Sequence, residues 1–511
     1  MFKKILIANR GEIAVRILRA CRELGIQSVA VFSEVDRKSL HVRLADEAYA
    51  IGPAASRESY LRIDKLIDVA RRAGCDAVHP GYGFLAENPA LPRASNEAGV
   101  TFIGPPAEAM EALGSKTAGR QLARRVEVPT VPGTNDPIDK SQGQILAQSM
   151  GYPVLLKAVG GGGGKGMRLV DNDAEFESAF RDASSEATNA FGDGRLYLEK
   201  YLERPRHIEI QILADAHGRV VSLGERECSV QRRHQKVIEE APSPIVTPEL
   251  RRKMSEAAVR LARAGGYVNA GTMEFLVDQH LNFYFLEVNT RLQVEHPVTE
   301  QVTGLDLVKL QIAIAAGHRL PFAWESITPR GHAIEVRLYA EDPDNNFFPS
   351  PGKIRSRHAP GGAGIRLDEG VYEGWTVPND YDPLLSKLVA WGNSREETIA
   401  RLRRALDEYT ITGIRTNAGL FRRILQDPEF RRGKIHTRWL DEFLRRPRAA
   451  SSVSPVDEEA HSNEAREAAA IAAAIWQANQ SATPSPAASS DGESLSRWKR
   501  EGRREQLDRM P

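Results

Sequence analysis

The chain has 511 residues, which at roughly 150 residues per domain implies about three domains, long enough together to bury a substantial core. Hydrophobic residues make up 41% and charged residues 27%, the composition of an ordinary globular protein rather than a disordered or fibrous one. The 69 basic and 68 acidic residues leave a formal net charge of +1, so the charge gives no support for nucleic acid or an anionic membrane as a partner.

The N-terminal run from Met1 to Ala8 is too short for a signal peptide and meets Asn9-Arg10-Gly11-Glu12 at once. Ile5 to Ala8 is therefore predicted to be a buried strand. A helix follows, with Ile13, Ala14, Ile17, Leu18, Cys21 and Leu24 as its apolar stripe and Gly25 as its stop. Ser28 to Phe32 is the next strand, so the chain opens with a βαβ unit. Ala77-Val78, a further strand, leads into the rigid turn His79-Pro80-Gly81-Tyr82-Gly83. Cys21, Cys75 and Cys228 form no Cys-x-x-Cys pair, the usage of reduced thiols in a cytosolic compartment. No uncharged apolar stretch in the sequence approaches the ~18 residues needed to span a bilayer. A soluble, cytoplasmic protein is expected.

In the middle third, a strand at Val154 to Lys157 runs into five glycines, Gly160 to Gly164, then Lys165 and Gly166. Without Cβ atoms, backbone N–H groups can fold close over phosphate oxygens, and the flanking lysines add point charges. A P-loop fails, because Gly166 stands where Ser or Thr is required. The plain alternative is a flexible surface loop; the strand ending at Lys157 favours phosphate. His207 to Ile212 reads as a half-buried antiparallel strand. Met273 to Val277 and Phe283 to Val288 read as a strand pair carrying Glu274 and Glu287 among apolar neighbours. Buried carboxylates are costly unless a cation neutralises them. Glu274, Glu287 and the Asn289 amide oxygen are hard donors of the kind Mg²⁺ prefers beside nucleotide phosphates; two solvent-facing carboxylates are the alternative. Arg291 suits a small planar oxyanion through its fork of donors, and Glu295 is a candidate general base. Strands resume near Arg330 and give way to a helix at Arg395 to Leu406. Residues 447–461 and 480–493 read as disordered linkers around an alanine-rich stretch, Glu464 to Gln477. That stretch is either a docking peptide or a solvated appendage.

These residues carry a resemblance. Over residues 1 to about 445 the chain resembles the biotin carboxylase family of the ATP-grasp superfamily. The matching runs are Ile7 to Ala14, His79 to Asn88, Gly114-Ser115-Lys116, the glycine loop, Glu225 to Lys236 and Glu287 to Glu300. The resemblance implies an α/β protein with a Rossmann-like N-terminal domain (1–113), an ATP-grasp domain (114–330) whose glycine-rich lid covers about 130–204, a mixed α+β C-terminal domain (331–446), and a largely disordered tail (447–511). It implies an ATP-dependent ligase that uses bicarbonate to carboxylate biotin through carboxyphosphate, with ATP and two Mg²⁺ (or Mn²⁺) ions. In that family pattern Lys116, Lys157, Gly163, Gly164 and Lys165 meet the nucleotide phosphates. Glu199, Lys200 and Leu202 hold the adenine edge, with His207, Gln231 and His234 nearby. Glu274, Glu287 and Asn289 match the metal ligands, the two glutamates also meeting ATP. Lys236, Arg291, Gln293 and Val294 match the bicarbonate pocket and Glu295 the base. Arg337 matches the group that stabilises the biotin enolate, and Tyr82 would lie against the biotin ring.

The family's usual biotin hook is Ala-Met-Lys-Met, and the nearest string, Glu108-Ala109-Met110-Glu111, lacks the lysine. Biotin is therefore expected on a separate biotin carboxyl carrier protein, and the second expected partner is the carboxyltransferase. Arg337 to Asp342 looks more like the propionyl- and methylcrotonyl-CoA members, whereas Pro349 to Lys353 looks more like the acetyl-CoA type. The final acyl-CoA stays open. Arg19, Glu23 and Arg366 match the family's dimer contacts, but Ala363 stands where an aromatic is usual. A degenerate scaffold would lack metal or bicarbonate ligands, and a peptide-type ligase would lack Arg291 to Glu295 as they stand.

Overall fold

A computed structural model describes residues 1–134, 136–160, 166–322 and 327–447, the side chains of Lys116 and Thr117 excepted. The glycine-loop residues Gly163, Gly164 and Lys165, the Lys116 side chain and the alanine-rich stretch lie outside the described residues. Residues Met1–Leu444 form one compact unit.

The opening apolar run forms strand Lys4–Ile7, buried from Ile5 onward because it lies inside a parallel sheet covered on both faces. The five strands run in the order Glu47–Gly52, Gln27–Ser33, Lys4–Ile7, Ala77–His79, Thr101–Phe102, all parallel. The predicted apolar stripe packs as read: Ile13, Ala14, Ile17, Leu18 and Cys21 of helix Gly11–Glu23 lie against Ile5, Ile7, Leu307 and Ile312. The strand order reverses between Lys4–Ile7 and Ala77–His79, the place where parallel α/β sheets open a crevice at their carboxyl ends. There the Asn9 side chain donates to the Pro80 and Tyr82 carbonyls. Gly81 sits at φ +62°, where a Cβ would press on Asn9 and Ile13 at 3.0 Å. This turn needs glycine for both reasons.

Eight strands make the second sheet, in the order Phe283–Asn289, Asn269–Val277, Arg206–Ala214, Val220–Arg232, Gln235–Ala241, His332–Tyr339, Leu384–Gly392, Ile365–Glu369. Every pairing in it is antiparallel. Helix Pro248–Ala264 covers one face at Ile208, Ile210, Ile212, Met273 and Phe275. Helix Arg395–Glu408 covers the same sheet farther along, at Ile334, Val336, Leu388 and Ala390. The other face meets helix His296–Thr303 through Val298 and Val302. Strand Arg206–Ala214 is consequently buried along its whole length, which corrects the half-buried reading of His207 to Ile212. Its polar positions Glu209 and Gln211 face a buried ionic network rather than water. Alternation in the sequence distinguishes the two faces but not whether the polar one is wet.

A smaller antiparallel sheet places Val154–Ala158 between Met167–Val170 and Leu196–Lys200. Helix Phe176–Phe191 contributes Phe176, Ala183 and Ala187 to its core. Among the described residues no helix is long and apolar enough to cross a membrane.

Candidate active site

Cross-strand register, not sequence proximity, assembles the site. Glu287 stands opposite Glu274, Glu274 opposite Glu209, and Glu209 opposite Arg226 on four consecutive strands. Like charges facing each other across a ladder are destabilising, and burial makes them worse. Such a row must be answered by cations. Arg226, fully buried, donates to Glu209, to Gln211 Oε1 at 2.6 Å and to Thr299 Oγ1 at 2.9 Å. Lys236 answers three acids at once: its Nζ lies 2.6 Å from Glu209, 2.8 Å from Glu274 and 2.6 Å from Glu295. Burial would lower the Lys236 pKa, but these carboxylates outweigh it and hold the ammonium charged well above its ordinary range.

Glu295 is gripped from two sides. One carboxylate oxygen accepts from Lys236 and the other from Arg337 Nη2 at 2.9 Å. Burial would raise its pKa, but Lys236, Arg337 and Arg226 hold it well below the usual carboxylate range. Arg337 is in turn fixed by Glu239, whose Oε1 accepts from Nε at 2.7 Å. Burial lifts Glu239 to about 7 against the pull of Arg337. Glu335 stands directly opposite Glu239; its carboxyl is fully buried, and among the described residues no hydrogen-bond donor meets either oxygen. Burial raises its pKa well above the ordinary carboxylate value, against the pull of Lys387.

Glu274 accepts from Asn289 Nδ2 at 2.8 Å and Gln293 Nε2 at 3.3 Å, and His207 Nε2 lies 3.0 Å from its second oxygen. Burial opposes a charge on His207, but Glu274 prevails and raises the imidazole's pKa. Gln231 Nε2 contacts His207 Nδ1 at 2.8 Å. Arg291 donates to Asn289 Oδ1 at 3.2 Å and to Gln293 Oε1 at 2.9 Å. Its Nε reaches Glu87 at 3.1 Å, and the other Glu87 oxygen accepts from the Thr290 N–H at 3.0 Å. Lys157 Nζ lies 2.5 Å from Glu199, which also pairs with Arg120. The Lys200 ammonium turns to the Gly151 carbonyl at 2.8 Å.

A cavity of about 550 Å³ opens over this network. Lys157, Glu199, Lys200, Leu202, His207, Gln231, His234, Lys236, Glu274, Glu287, Asn289, Arg291, Gln293, Val294 and Arg337 all line it. A second cavity, of about 450 Å³, lies at the strand-order reversal of the parallel sheet and is lined by Asn9, Arg10, Gly11, Tyr82 and Arg337. Gln235, Arg291, Val294 and Arg337 line both cavities. Every described site residue predicted from the sequence thus borders one of the two, except Glu295. That residue is fully buried and reaches them through Lys236 and Arg337. The first cavity has the size and the basic, histidine-bearing wall to take a nucleotide. Glu274 and Glu287, paired across the ladder, and Asn289 supply hard oxygen atoms, so the donor set fits a divalent cation.

Sequence reasoning gave no role to Glu87, Glu209, Arg226, Glu239, Glu335 and Lys387. A lone charged residue between apolar strand neighbours is the local sign that Glu209 and Lys387 offer, as in Leu384-Leu385-Ser386-Lys387-Leu388-Val389, whereas Arg226 and Glu239 stand beside other charges. Such a residue reveals a buried partner only once the strand neighbours are known.

Comparison with known proteins places the geometry in a wider set. Residues 1–110 match the family model of the biotin carboxylase N-terminal domain. Residues 115–323 match the carbamoyl-phosphate synthase L chain ATP-binding domain, and residues 335–442 the biotin carboxylase C-terminal domain. The biotin carboxylase of Halalkalibacterium halodurans is 53% identical over 446 residues, covering 87% of this chain and 98% of that protein. Among solved structures, the biotin carboxylase domain dimer of Hydrogenobacter thermophilus 2-oxoglutarate carboxylase, in complex with MgADP, ADP and bicarbonate, superposes with a TM-score of 0.82. It is 48% identical, covering 86% of this chain and 98% of that one. The pyruvate carboxylase of Rhizobium etli superposes with a TM-score of 0.81 at 45% identity, covering 88% of this chain and 41% of that longer one.

Proposed function

The chain belongs to the biotin carboxylase family, an ATP-dependent ligase using ATP and Mg²⁺, and from that premise we propose how its residues divide the reaction. One observation carries the reading: Glu295 is held between Lys236 and Arg337 behind the wall that the two cavities share. We assign the larger cavity to MgATP and bicarbonate and the smaller one to the biotin ring.

Lys157, His207 and His234, with Lys116 and the glycine loop 160–164, bind and shield the nucleotide phosphates. Glu199, Lys200 and Leu202 hold the adenine edge. Glu274, Glu287 and Asn289 hold Mg²⁺ or Mn²⁺, which when bound offsets negative charge on the phosphates. Arg291, Lys236, Gln293 and the Val294 backbone orient bicarbonate, and Glu295 takes its proton. The low basicity of Glu295 is a property of the substrate-free site, where Lys236 and Arg337 both face it. An incoming anion competes for Lys236 and loosens that grip, so the carboxylate becomes a better base as the substrate settles. The resulting dianion attacks the γ-phosphate, breaking its bond to the bridging oxygen so that ADP leaves and carboxyphosphate forms, with Lys236 and Arg291 countering the charge that develops. Carboxyphosphate breaks down to CO₂ and phosphate, and phosphate takes the N1′ proton of biotin. Arg337 stabilises the enolate that attacks CO₂, and Tyr82 packs on the biotin ring. The glycine loop keeps water from the labile intermediate.

Biotin arrives on a separate carrier protein, and a carboxyltransferase passes the carboxyl to acetyl-CoA or another acyl-CoA. The acceptors in the names of two relatives, 2-oxoglutarate and pyruvate, support a view in which the partner transferase, not this chain, selects the acceptor. The dimeric state of the Hydrogenobacter domain supports a homodimer, which we place in the cytoplasm. The expected result is that purified protein cleaves ATP at an appreciable rate only when bicarbonate and biotin are both present, read as phosphate release. Arg291→Ala should abolish that dependence. Equal rates with and without the two substrates would overturn the proposal.

A further inference from the structure

Lys387 is completely buried in strand Leu384–Gly392, an expensive position for an ammonium group unless its donors are used. In the strand register it stands directly opposite Arg337, so two cations lie side by side on one face of the sheet. Side-by-side cations repel, and here each is directed at a different atom of the same short segment. Arg337 Nη2 donates to the Glu295 carboxylate at 2.9 Å. Lys387 Nζ donates to the Val294 carbonyl, one residue earlier, at 2.8 Å. The same Nζ lies 3.3 Å from Glu12 Oε2, at the start of the helix that follows the strand-order reversal, and 5.6 Å from the centre of the Tyr82 ring.

We propose that Lys387 is a positioning residue that fixes the Val294–Glu295 peptide relative to Tyr82, setting the bicarbonate pocket and the biotin ring in register. This inference rests on the assignment of the two cavities given above. Its physical content is that a single buried cation spans three elements: the turn before helix His296–Thr303, the first helix of the parallel sheet, and the Tyr82 turn. A small displacement of a reacting group costs rate steeply when the neighbouring groups stay in place. Removing the Nζ frees the Val294 carbonyl to rotate and lets the Tyr82 turn relax away from the shared wall. The nucleotide groups Lys157, Glu199 and His207 are held by other partners, Lys157 and Arg120 on Glu199 and Gln231 and Glu274 on His207, and should be spared.

The test uses the full-length chain with free biotin as the acceptor. Lys387→Met keeps length and apolar bulk but strands the Glu12 carboxylate. Lys387→Met combined with Glu12→Gln removes both charges together and separates folding from positioning. The expected result for the double variant is a thermal midpoint close to that of the wild type. Its KM for bicarbonate and for biotin should rise about tenfold or more, with the KM for ATP held within about twofold. A double variant with unchanged KM for bicarbonate and biotin overturns the proposal. So does one in which the KM for ATP rises by the same factor, since that is the mark of general disorder. If the wild-type chain shows no biotin-dependent ATP cleavage, the cavity assignment fails instead, and the two failures are told apart by that control.

Discussion

Glu295→Gln is expected to lower the bicarbonate- and biotin-dependent rate of ATP cleavage by about 10²- to 10⁴-fold, the range for loss of a general base. The substitution conserves volume in a site with no exposed surface, so packing changes little. What changes is the chemistry of the oxygen that faces Lys236 at 2.6 Å. An amide accepts no proton from bicarbonate, and a neutral group leaves Lys236 and Arg337 with one fewer counter-charge. Nucleotide binding should persist, because Lys157, His207 and Glu274 are untouched. Steady-state phosphate release and equilibrium binding of ADP measure the two separately. A rate within about threefold of wild type would remove Glu295 from the role of base.

Lys236→Met is expected to destabilise the chain by about 3–5 kcal/mol, the usual consequence of deleting one partner of a buried ionic cluster. The magnitude follows from arithmetic specific to this site: one ammonium faces Glu209, Glu274 and Glu295. Arg226 remains for Glu209 and Arg337 for Glu295. Glu274 is left with His207 and two amide donors. Denaturant unfolding reads the loss, and adding Mg²⁺ with ADP should recover part of it, because a cation bound beside Glu274 takes over the missing charge. A variant as stable as the wild type, with or without nucleotide, would show that the row of acids is neutralised in some other way.

Much of the site was legible in the sequence because its residues come in long runs with chemistry of their own. The Glu287 to Glu300 segment carries donors for metal and oxyanion within fourteen positions. The strand Phe283–Asn289 and its antiparallel partner follow from their apolar flanks. The opening βαβ unit was equally readable, since its stripe of Ile13, Ala14, Ile17 and Leu18 has helical spacing. Glu209, Arg226 and Glu239 were not, because what gives them meaning is the partner across the ladder. Glu209 and Arg226 are 17 residues apart, and Glu239 and Arg337 are 98 apart. The same limit hid the wet-or-dry status of strand Arg206–Ala214, which depends on the buried ionic network meeting its polar face.

The wall shared by the two cavities has a consequence for how the reaction leaks. Gln235, Arg291, Val294 and Arg337 border both spaces, so on the proposed assignment the two half-reactions are separated by about the width of a side chain. On that assignment, diffusion over such a span is fast beside a turnover, and product of the first step reaches the second space without delay. On the proposed reading, in which ATP is cleaved at an appreciable rate only when biotin is present, the ratio of carboxylated product to ATP consumed is protected even when biotin is scarce. A carrier that delivers its biotin rarely would make the chain idle rather than merely slow.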